Sequence, residues 1–285
     1  MRGAGVILTD PKLTALTREG LTVWTDSALA ETGILIGFTE RGGGVSEPPY
    51  ASLNLAAHVG DDPIYVDENR RRLLEAVGLV HLRDRLTMPD QVHGDVIAFV
   101  GNTDAGSGAH ASMGRPPIPS TDALVTLEVD VPLMLCFADC VPVVLVSPGH
   151  GVAVAHAGWR GALASIPGKT ATELACATRC NASDIRAYIG AHVRACHYSV
   201  GDDIMSQFCN TFGTVARAVS GGLDLDAAVT ASLVDAGVKP CSIARLGTCT
   251  AEATDRFFSY RSEDGRTGRH SAFACLLSSG SSQFR

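Results

Sequence analysis

The stretch that decides the fold runs from residue 122 to 158: DALVTLEVDVPLMLCFADCVPVVLVSPGHGVAVAHAG. It holds four short apolar runs, DALVTL, PLMLCFAD, PVVLVSP and GVAVAHAG, bounded by Asp, Pro or Gly. Short continuous runs rich in Val and Leu predict strands buried on both faces. Asp139, Pro142 and Pro148 interrupt the stretch, so it is no membrane span, which needs about 20 apolar residues in a row. A set of strands buried on both faces requires cover on both sides, and the rest of the chain must supply it.

Outward from this centre the pattern alternates. LTVWTDSAL and ILIGFTER read as two more strands, and RGGGVSEPPYASLNL as a loop. PIYVDENRRRLLEAVGL predicts a helix, with Val66, Leu73, Leu74 and Val77 at near-helical spacing and Gly78 suited to its end. RLTMPDQVHGDVIAFV reads as strand, turn, strand, and residues 102–121, rich in Gly, Ser, Ala and Pro, as a mobile surface loop. GALASIPGKTATELACATR (broken at Pro167 and Gly168), GDDIMSQFCNTFG and LDLDAAVTASLVDAGV predict helices. IRAYIGAHVRA predicts a strand, and the last stretch reads as strand, loop, strand. The expected fold is α/β, a single domain over residues 1–285 with helices packed outside the sheets.

Composition narrows the function classes. The 285 residues are 46% hydrophobic and 19% charged, a globular balance. A formal net charge of −7 argues against nucleic-acid binding, which requires basic faces. The N-terminal MRGAGVILTDPKL lacks the apolar core of a signal peptide, so a soluble cytoplasmic protein with no membrane role is expected. All nine cysteines lie at or after Cys136, an odd count that disfavours a disulfide framework. Cys136, Cys176, Cys180, Cys209, Cys241 and Cys275 are expected to be small buried hydrophobes.

Three positions stand out as chemistry. His93 lies in QVHGD beside a turn glycine, Cys140 lies in FADCVPV, and His156 ends the strand GVAVA. Asp139 interrupts a buried run and needs a partner, because an unpaired charge there is costly. Two imidazoles and a thiolate make a three-donor site that leaves a metal one open position, the mark of catalysis. Spacing alone is a weak signal, and each histidine taken singly is more simply a hydrogen-bonded loop residue. Arg41, Arg160, Arg261 and Arg266 are candidate anion contacts, against the plainer reading of surface ion pairs. His58, His81, His110, His150 and His270 read as loop histidines, and Trp159 as a packing residue.

The blocks GFTERGGGVSEPPYASLNLAAHVGDDPIYVDENRRRL, PDQVHGD, TDALVT, FADCVPVVL, VAVAHAGWRG, IGAHVRACHYSVG and FFSYRSEDGRTGR resemble, in order, those of the bacterial YfiH/YlmD family. Its members have been described as polyphenol oxidases or laccase-domain proteins, and as purine nucleoside enzymes. The resemblance implies a single α/β sandwich of mixed sheets flanked by helices, related to bacterial toxin deamidases. It implies zinc held by His93, Cys140 and His156, with Asp139 orienting a ligand or shuttling a proton. It further implies phosphorolysis of adenosine, inosine, guanosine and methylthioadenosine, and deamination of adenosine to inosine. Arg41 or Arg160 would neutralise phosphate, and Asn54 in SLNL would bind the nucleoside. Some members are linked to peptidoglycan editing; monomer and homodimer both remain open.

One departure stands in IGAHVRACHYSVG, where the family usually has IGPCIGPCCYEVG, so His192 and His197 are not assigned as ligands. Three rivals stay open. Copper could replace zinc in a phenol oxidase, with Met134 as axial ligand; against it, no His-x-His pair occurs. Cys140 and His156 could be the nucleophile and base of a cysteine hydrolase. The protein could also be a non-catalytic sensor of nucleosides or peptidoglycan precursors.

Overall fold

The computed structural model describes residues 10–148 and 151–278. In chain order its strands are β1 (Thr14–Arg18), β2 (Leu21–Thr25), β3 (Ile34–Thr39), β4 (Ile97–Phe99), β5 (Ala123–Thr126) and β6 (Leu133–Phe137). They continue with β7 (Val141–Ser147), β8 (Gly151–Ala157), β9 (Arg186–Ile189), β10 (Ile243–Arg245) and β11 (His270–Leu276). The α-helices are α1 (Ser27–Ala30), α2 (Pro63–Ala76), α3 (Trp159–Leu163), α4 (Ile166–Thr178), α5 (Asp202–Phe212) and α6 (Leu225–Asp235).

Two sheets form. One has the order β1-β2-β3-β11-β6, every ladder antiparallel. The other has the order β10-β9-β7-β8-β5-β4 and is mixed, with parallel pairs at both edges. The expected α/β sandwich with helices outside is met, and the period of two explains its layering. On β7, Val144 and Val146 face the other sheet while Val143 and Leu145 face α4 and α6. On β8, Val152 and Val154 take the inter-sheet face and Ala153, Ala155 and Ala157 the helix face. On β6, Leu133, Leu135 and Phe137 meet them between the sheets, and Met134 and Cys136 turn outward to the layer beneath α2. The order is therefore α2, sheet, sheet, then α4 to α6. Strands β3, β5, β6, β7, β8 and β11 are buried on both faces, which is why their runs are continuous in the sequence, whereas the edge strands β1, β4 and β10 are partly exposed.

The helix ends follow local rules. Asp62 caps α2 by accepting from the Ile64 N–H at 2.8 Å, with Pro63 at the first turn. The expected break at Pro167 moves upstream: Ser165, at φ 59°, separates α3 from α4, and Pro167 occupies the first turn of α4. RLTMPDQVHGDVIAFV yields only β4 and isolated bridges at Thr87 and Pro89, because Pro89 and the turn at His93–Gly94 leave little regular ladder. Residues 102–121 form no helix or strand, as expected, but they are held down: buried Arg70 donates to the Gly108 and Ala109 carbonyls at 2.9 and 3.1 Å.

The cysteine expectation is only partly met. Cys136 and Cys275 are buried and Cys180 and Cys209 half-buried, whereas Cys176 and Cys241 are exposed. Cys176 lies on the outer face of α4, where no second layer covers it. His270 is not a loop histidine; it is buried on β11 with Phe257 at 5.4 Å between ring centroids. His150 lies outside the described residues. No helix among the described residues is long and apolar enough to cross a membrane.

Candidate metal and active site

The site opens at one end of the sandwich, where the chain leaves one sheet for the other. β6 ends at Phe137, and β7, in the second sheet, begins at Val141. The three residues between them make the crossing, with Asp139 at φ 85°, and deliver Cys140 to the gap between the sheets. His156 reaches the same gap because it shares the face of Val152 and Val154 on β8, with its ring 5.4 Å from that of Phe137. His93 comes from a turn at φ 59°. The donor atoms of His93, Cys140 and His156 all lie within 4.8 Å of one another. The structure thus brings together the three residues singled out from the sequence.

Asp122, which the sequence reading missed, organises this triad. It directly precedes β5, and its carbonyl accepts the His156 N–H at 2.8 Å across the ladder. Its carboxylate accepts from His156 Nδ1 at 2.8 Å, so that Nδ1 carries a proton and Nε2 is the ring nitrogen left to ligate a metal. The same carboxylate accepts the backbone N–H groups of Val92, His93 and Gly94 at 3.3, 3.0 and 2.7 Å. One buried anion therefore fixes both histidines. Gln91 adds a clamp on β6, accepting from Cys136 N–H at 2.8 Å and donating to its carbonyl at 2.9 Å. The signal for Asp122 was present in TDALVT, since a carboxylate opening a buried run needs a partner as much as Asp139 does.

The electrostatics suit a deprotonated thiol. Burial works against ionisation of Cys140, but the charge of His156 and hydrogen bonds from His156 and His93 outweigh it and lower its pKa. His156 moves the opposite way: burial alone would lower it, and the Cys140 thiolate and the Asp122 carboxylate raise it. Each of the two groups therefore favours the charged form of the other. Cys136, four residues earlier, has no such partner, and burial pushes its thiol up to about 11.

Gly158 is required for space. A Cβ built there would lie 2.9 Å from His93 Cδ2 and 3.2 Å from Cys140 Sγ. Gly161 does the same a turn later, its absent Cβ falling 2.9 Å from the Gly94 carbonyl oxygen. The donor set fits zinc: two imidazoles and an acidified thiol, one imidazole oriented by a carboxylate, in a cradle that a side chain would fill.

The triad opens into a cavity of about 530 Å³ lined also by Phe137, Trp159, Tyr198 and Tyr260. Arg160, Arg261 and Arg269 line it too, and none of them has a carboxylate partner among the described residues. Arg160 lies over the Trp159 ring at 4.2 Å and Arg261 over that of Tyr198 at 4.8 Å. Arg269 donates to the Thr267 and Gly268 carbonyls at 2.7 and 2.8 Å. Trp159, read as a packing residue, has one face on this cavity. His58, expected to be an ordinary loop residue, lines it as well.

Other candidates are placed elsewhere. Arg41 does not line the cavity, and its guanidinium is occupied by the Ala51 and Thr254 carbonyls at 3.0 and 2.6 Å and by Glu263 at 2.9 Å. Asn54 is fully buried, accepting from the Ala56 and Arg269 N–H groups at 3.2 and 2.9 Å. Both brace the glycine loop, where a buried polar group must find partners. Asp139 borders the cavity, but its carboxylate accepts from Thr250 Oγ1, Ser259 Oγ and Arg261 N–H at 2.6, 2.7 and 2.7 Å. It fixes the Arg261 loop against the Cys140 turn. Arg266 does not line the cavity, and Met134 is packed beneath α2 away from the triad.

An α/β sandwich with a His, Cys, His triad at the crossing of its sheets has clear relatives. The sequence profile described as "Multi-copper polyphenol oxidoreductase laccase" matches residues 35–277. Purine nucleoside phosphorylase YlmD of Geobacillus stearothermophilus is 39% identical over 249 residues, covering 85% of this chain and 89% of that protein. A purine nucleoside phosphorylase of Corynebacterium glutamicum is 36% identical over 243 residues, covering 84% and 93%. The crystal structure of YlmD from Geobacillus stearothermophilus matches with a TM-score of 0.84 at 35% identity, covering 94% of this chain and all of that one. The chain belongs to the YfiH/YlmD family.

Proposed function

We propose that the protein is a purine nucleoside phosphorylase whose centre is a zinc site formed by His93, Cys140 and His156. The supporting observation is the pairing of that triad with three guanidinium groups free of carboxylates in one aromatic-walled cavity. A nucleoside and phosphate need such a pairing: a flat base beside rings, and an anion beside arginines. The relatives named as phosphorylases point the same way.

Phosphate is held by Arg160 and Arg261, with Arg269 adding charge to the same cavity. A phosphate oxygen attacks the anomeric carbon as the bond from that carbon to the purine breaks, giving base and ribose 1-phosphate. The substrates are adenosine, inosine, guanosine and methylthioadenosine, the last giving a methylthioribose 1-phosphate. In a second activity, adenosine takes up water and loses ammonia to become inosine. Zinc, when bound, supplies Lewis-acid assistance to the departing base and to that water. Asp122 keeps His156 in its donor tautomer, Asp139 holds the Arg261 loop, and Trp159, Tyr198 and Tyr260 exclude bulk solvent from the sugar. Nine thiols without a disulfide fit a reducing compartment, the cytoplasm.

The test is chromatography of inosine and adenosine incubated with the purified enzyme, with and without phosphate. Hypoxanthine should appear only with phosphate, and inosine from adenosine without it. Base release independent of phosphate would overturn the phosphorylase reading. Arg261→Ala should raise KM for phosphate about 10-fold with a smaller change in kcat, the effect of losing one charge-assisted contact.

A second reading rests on one observation. Cys140, His156 and Asp122 stand in the order thiol, imidazole, carboxylate, the relay of a cysteine hydrolase. If iodoacetamide stops turnover equally well with metal bound and with metal removed, Cys140 is a nucleophile and not a ligand. Copper finds less support here, because Met134 lies outside the cavity as an axial ligand could not.

A further inference from the structure

A second group of soft donors includes His197, one of the positions where the chain departs from the family pattern. Cys196 and His197, from the loop after β9, meet Cys249 and Glu252, from the turn after β10, and their ligand atoms all lie within 4.8 Å of one another. Cys196 Sγ is 4.0 Å from Cys249 Sγ, 3.2 Å from His197 Nδ1 and 3.3 Å from Glu252 Oε1. His197 Nδ1 is 3.9 Å from Cys249 Sγ and 3.4 Å from Glu252 Oε1.

These separations are those of a tetrahedron. Bonds of about 2.3 Å to sulfur and about 2.0 Å to nitrogen or oxygen give edges of roughly 3.8 Å between two sulfurs and 3.3–3.6 Å for the other pairs. The five measured edges scatter around those lengths by a few tenths of an ångström. We propose that Cys196, His197, Cys249 and Glu252 form a second, structural zinc site, distinct from the triad in the cavity. Two sulfurs and an imidazole select zinc over magnesium or calcium, which prefer oxygen. Four protein donors close the coordination sphere, so the ion is a staple and carries no substrate. On binding, each thiol gives its proton to solvent and His197 binds neutral through Nδ1.

Its place in the fold says what it would staple. The Arg194 N–H donates to Cys249 Sγ at 3.4 Å, a contact suited to a metal-bound thiolate. Thr250, next to Cys249, holds Asp139 beside Cys140, and Tyr198, next to His197, lines the cavity. The ion would tie the loop that brings Val193 and Tyr198 to the cavity to the turn whose Thr250 holds Asp139. His197, set aside as a variable position in the sequence, supplies the donor that completes the four.

Metal analysis of the full chain, purified with reductant and without chelator, tests this independently of the catalytic reading. The intact protein should hold about two equivalents of zinc, falling to about one in Cys196→Ser and about one in Cys140→Ala, and to none when the two are combined. Glu252→Gln, an exposed and conservative change, should raise the dissociation constant of the second ion at least about 10-fold. In the Cys140→Ala protein, cobalt should give thiolate-to-metal absorption that Cys196→Ser removes. If the only zinc is lost in Cys140→Ala and unchanged in Cys196→Ser, the second site does not exist and the first stands. Zinc kept in Cys140→Ala but lost in Cys196→Ser supports the second site and overturns the first. Recovery of a Cys196–Cys249 disulfide in protein that takes up no zinc after reduction also overturns the proposal.

Discussion

The two donor clusters found among the described residues are built to opposite plans. His156 of the first is rooted in a buried strand, its imidazole oriented by a buried carboxylate, and the cluster has three donors and faces a cavity of about 530 Å³. The second has four donors on two loops, three of them exposed, and none of the four is rooted in a strand. The first has the design of a reactive centre, with geometry fixed by the sheets and one position left over. The second has the design of a clasp, in which geometry comes from the donors themselves. Rigid scaffolding goes with an open site because an open site must keep its shape without a fourth ligand.

The largest effect that would break this contrast comes from Cys140→Ala. Nucleoside turnover should fall on the order of 10³-fold or more, with loss of metal from the cavity. Full turnover in a variant shown by metal analysis to lack that ion would mean that the open cluster is not the reactive one. Next is Gly158→Ala. Its Cβ would sit 2.9 Å from the His93 ring, and a displacement of that size should cost about 10²-fold in kcat/KM. Unchanged kinetics would show that the cradle is looser than its contacts imply.

Asp122→Asn sharpens the role of the oriented imidazole. Zinc affinity should drop about 10–100-fold by competition with a chelator while the fold persists. The same carboxyl gives a sign for pH. Burial would raise its pKa, but the bond and charge of His156 and the N–H donors of Gly94 and Val92 hold it below the ordinary 3.8. Its folded pKa is depressed, so its contribution to stability is complete above that ordinary value and is lost as the pH falls through the folded one. Acid unfolding of the metal-free protein should therefore be less steep in Asp122→Asn; an identical pH profile would remove the charge pairing from the account.

The smallest effect is a difference in rate between two cysteines. In metal-free protein, Cys140 should be alkylated by iodoacetamide near neutral pH, because His156 lowers its pKa, whereas Cys136, pushed up to about 11, should stay unmodified. Peptide mapping distinguishes the two positions. Equal labelling would mean that the imidazole does not act on the thiol.

Much of the architecture could be read along the chain because its signals are local. Continuous apolar runs named β6, β7 and β8, and near-helical spacing named α2. Arg41 and Asn54 do not line the cavity, and the sequence could not show this because loop residues with polar side chains look alike whether they face a cavity or the underside of a turn. Only the fold shows Arg41 spent on carbonyls and Glu263. Asp122 and Arg269 were missed for the converse reason. Each lies beside a buried strand, where its side chain reads as a boundary residue until the register of the neighbouring strand is known.

By itself the sequence determined the buried centre and the alternation of faces, since strand-forming runs are properties of residues in order, and it singled out His93, Cys140 and His156 as candidate donors. The tertiary structure decided their partners. Residues 29 positions apart, Asp122 and His93, meet through a hydrogen bond of 3.0 Å, and the loops of Cys196 and Cys249, 53 positions apart, bring their thiols to 4.0 Å. Such distances follow from how sheets cross and loops return, which no local pattern of side chains encodes.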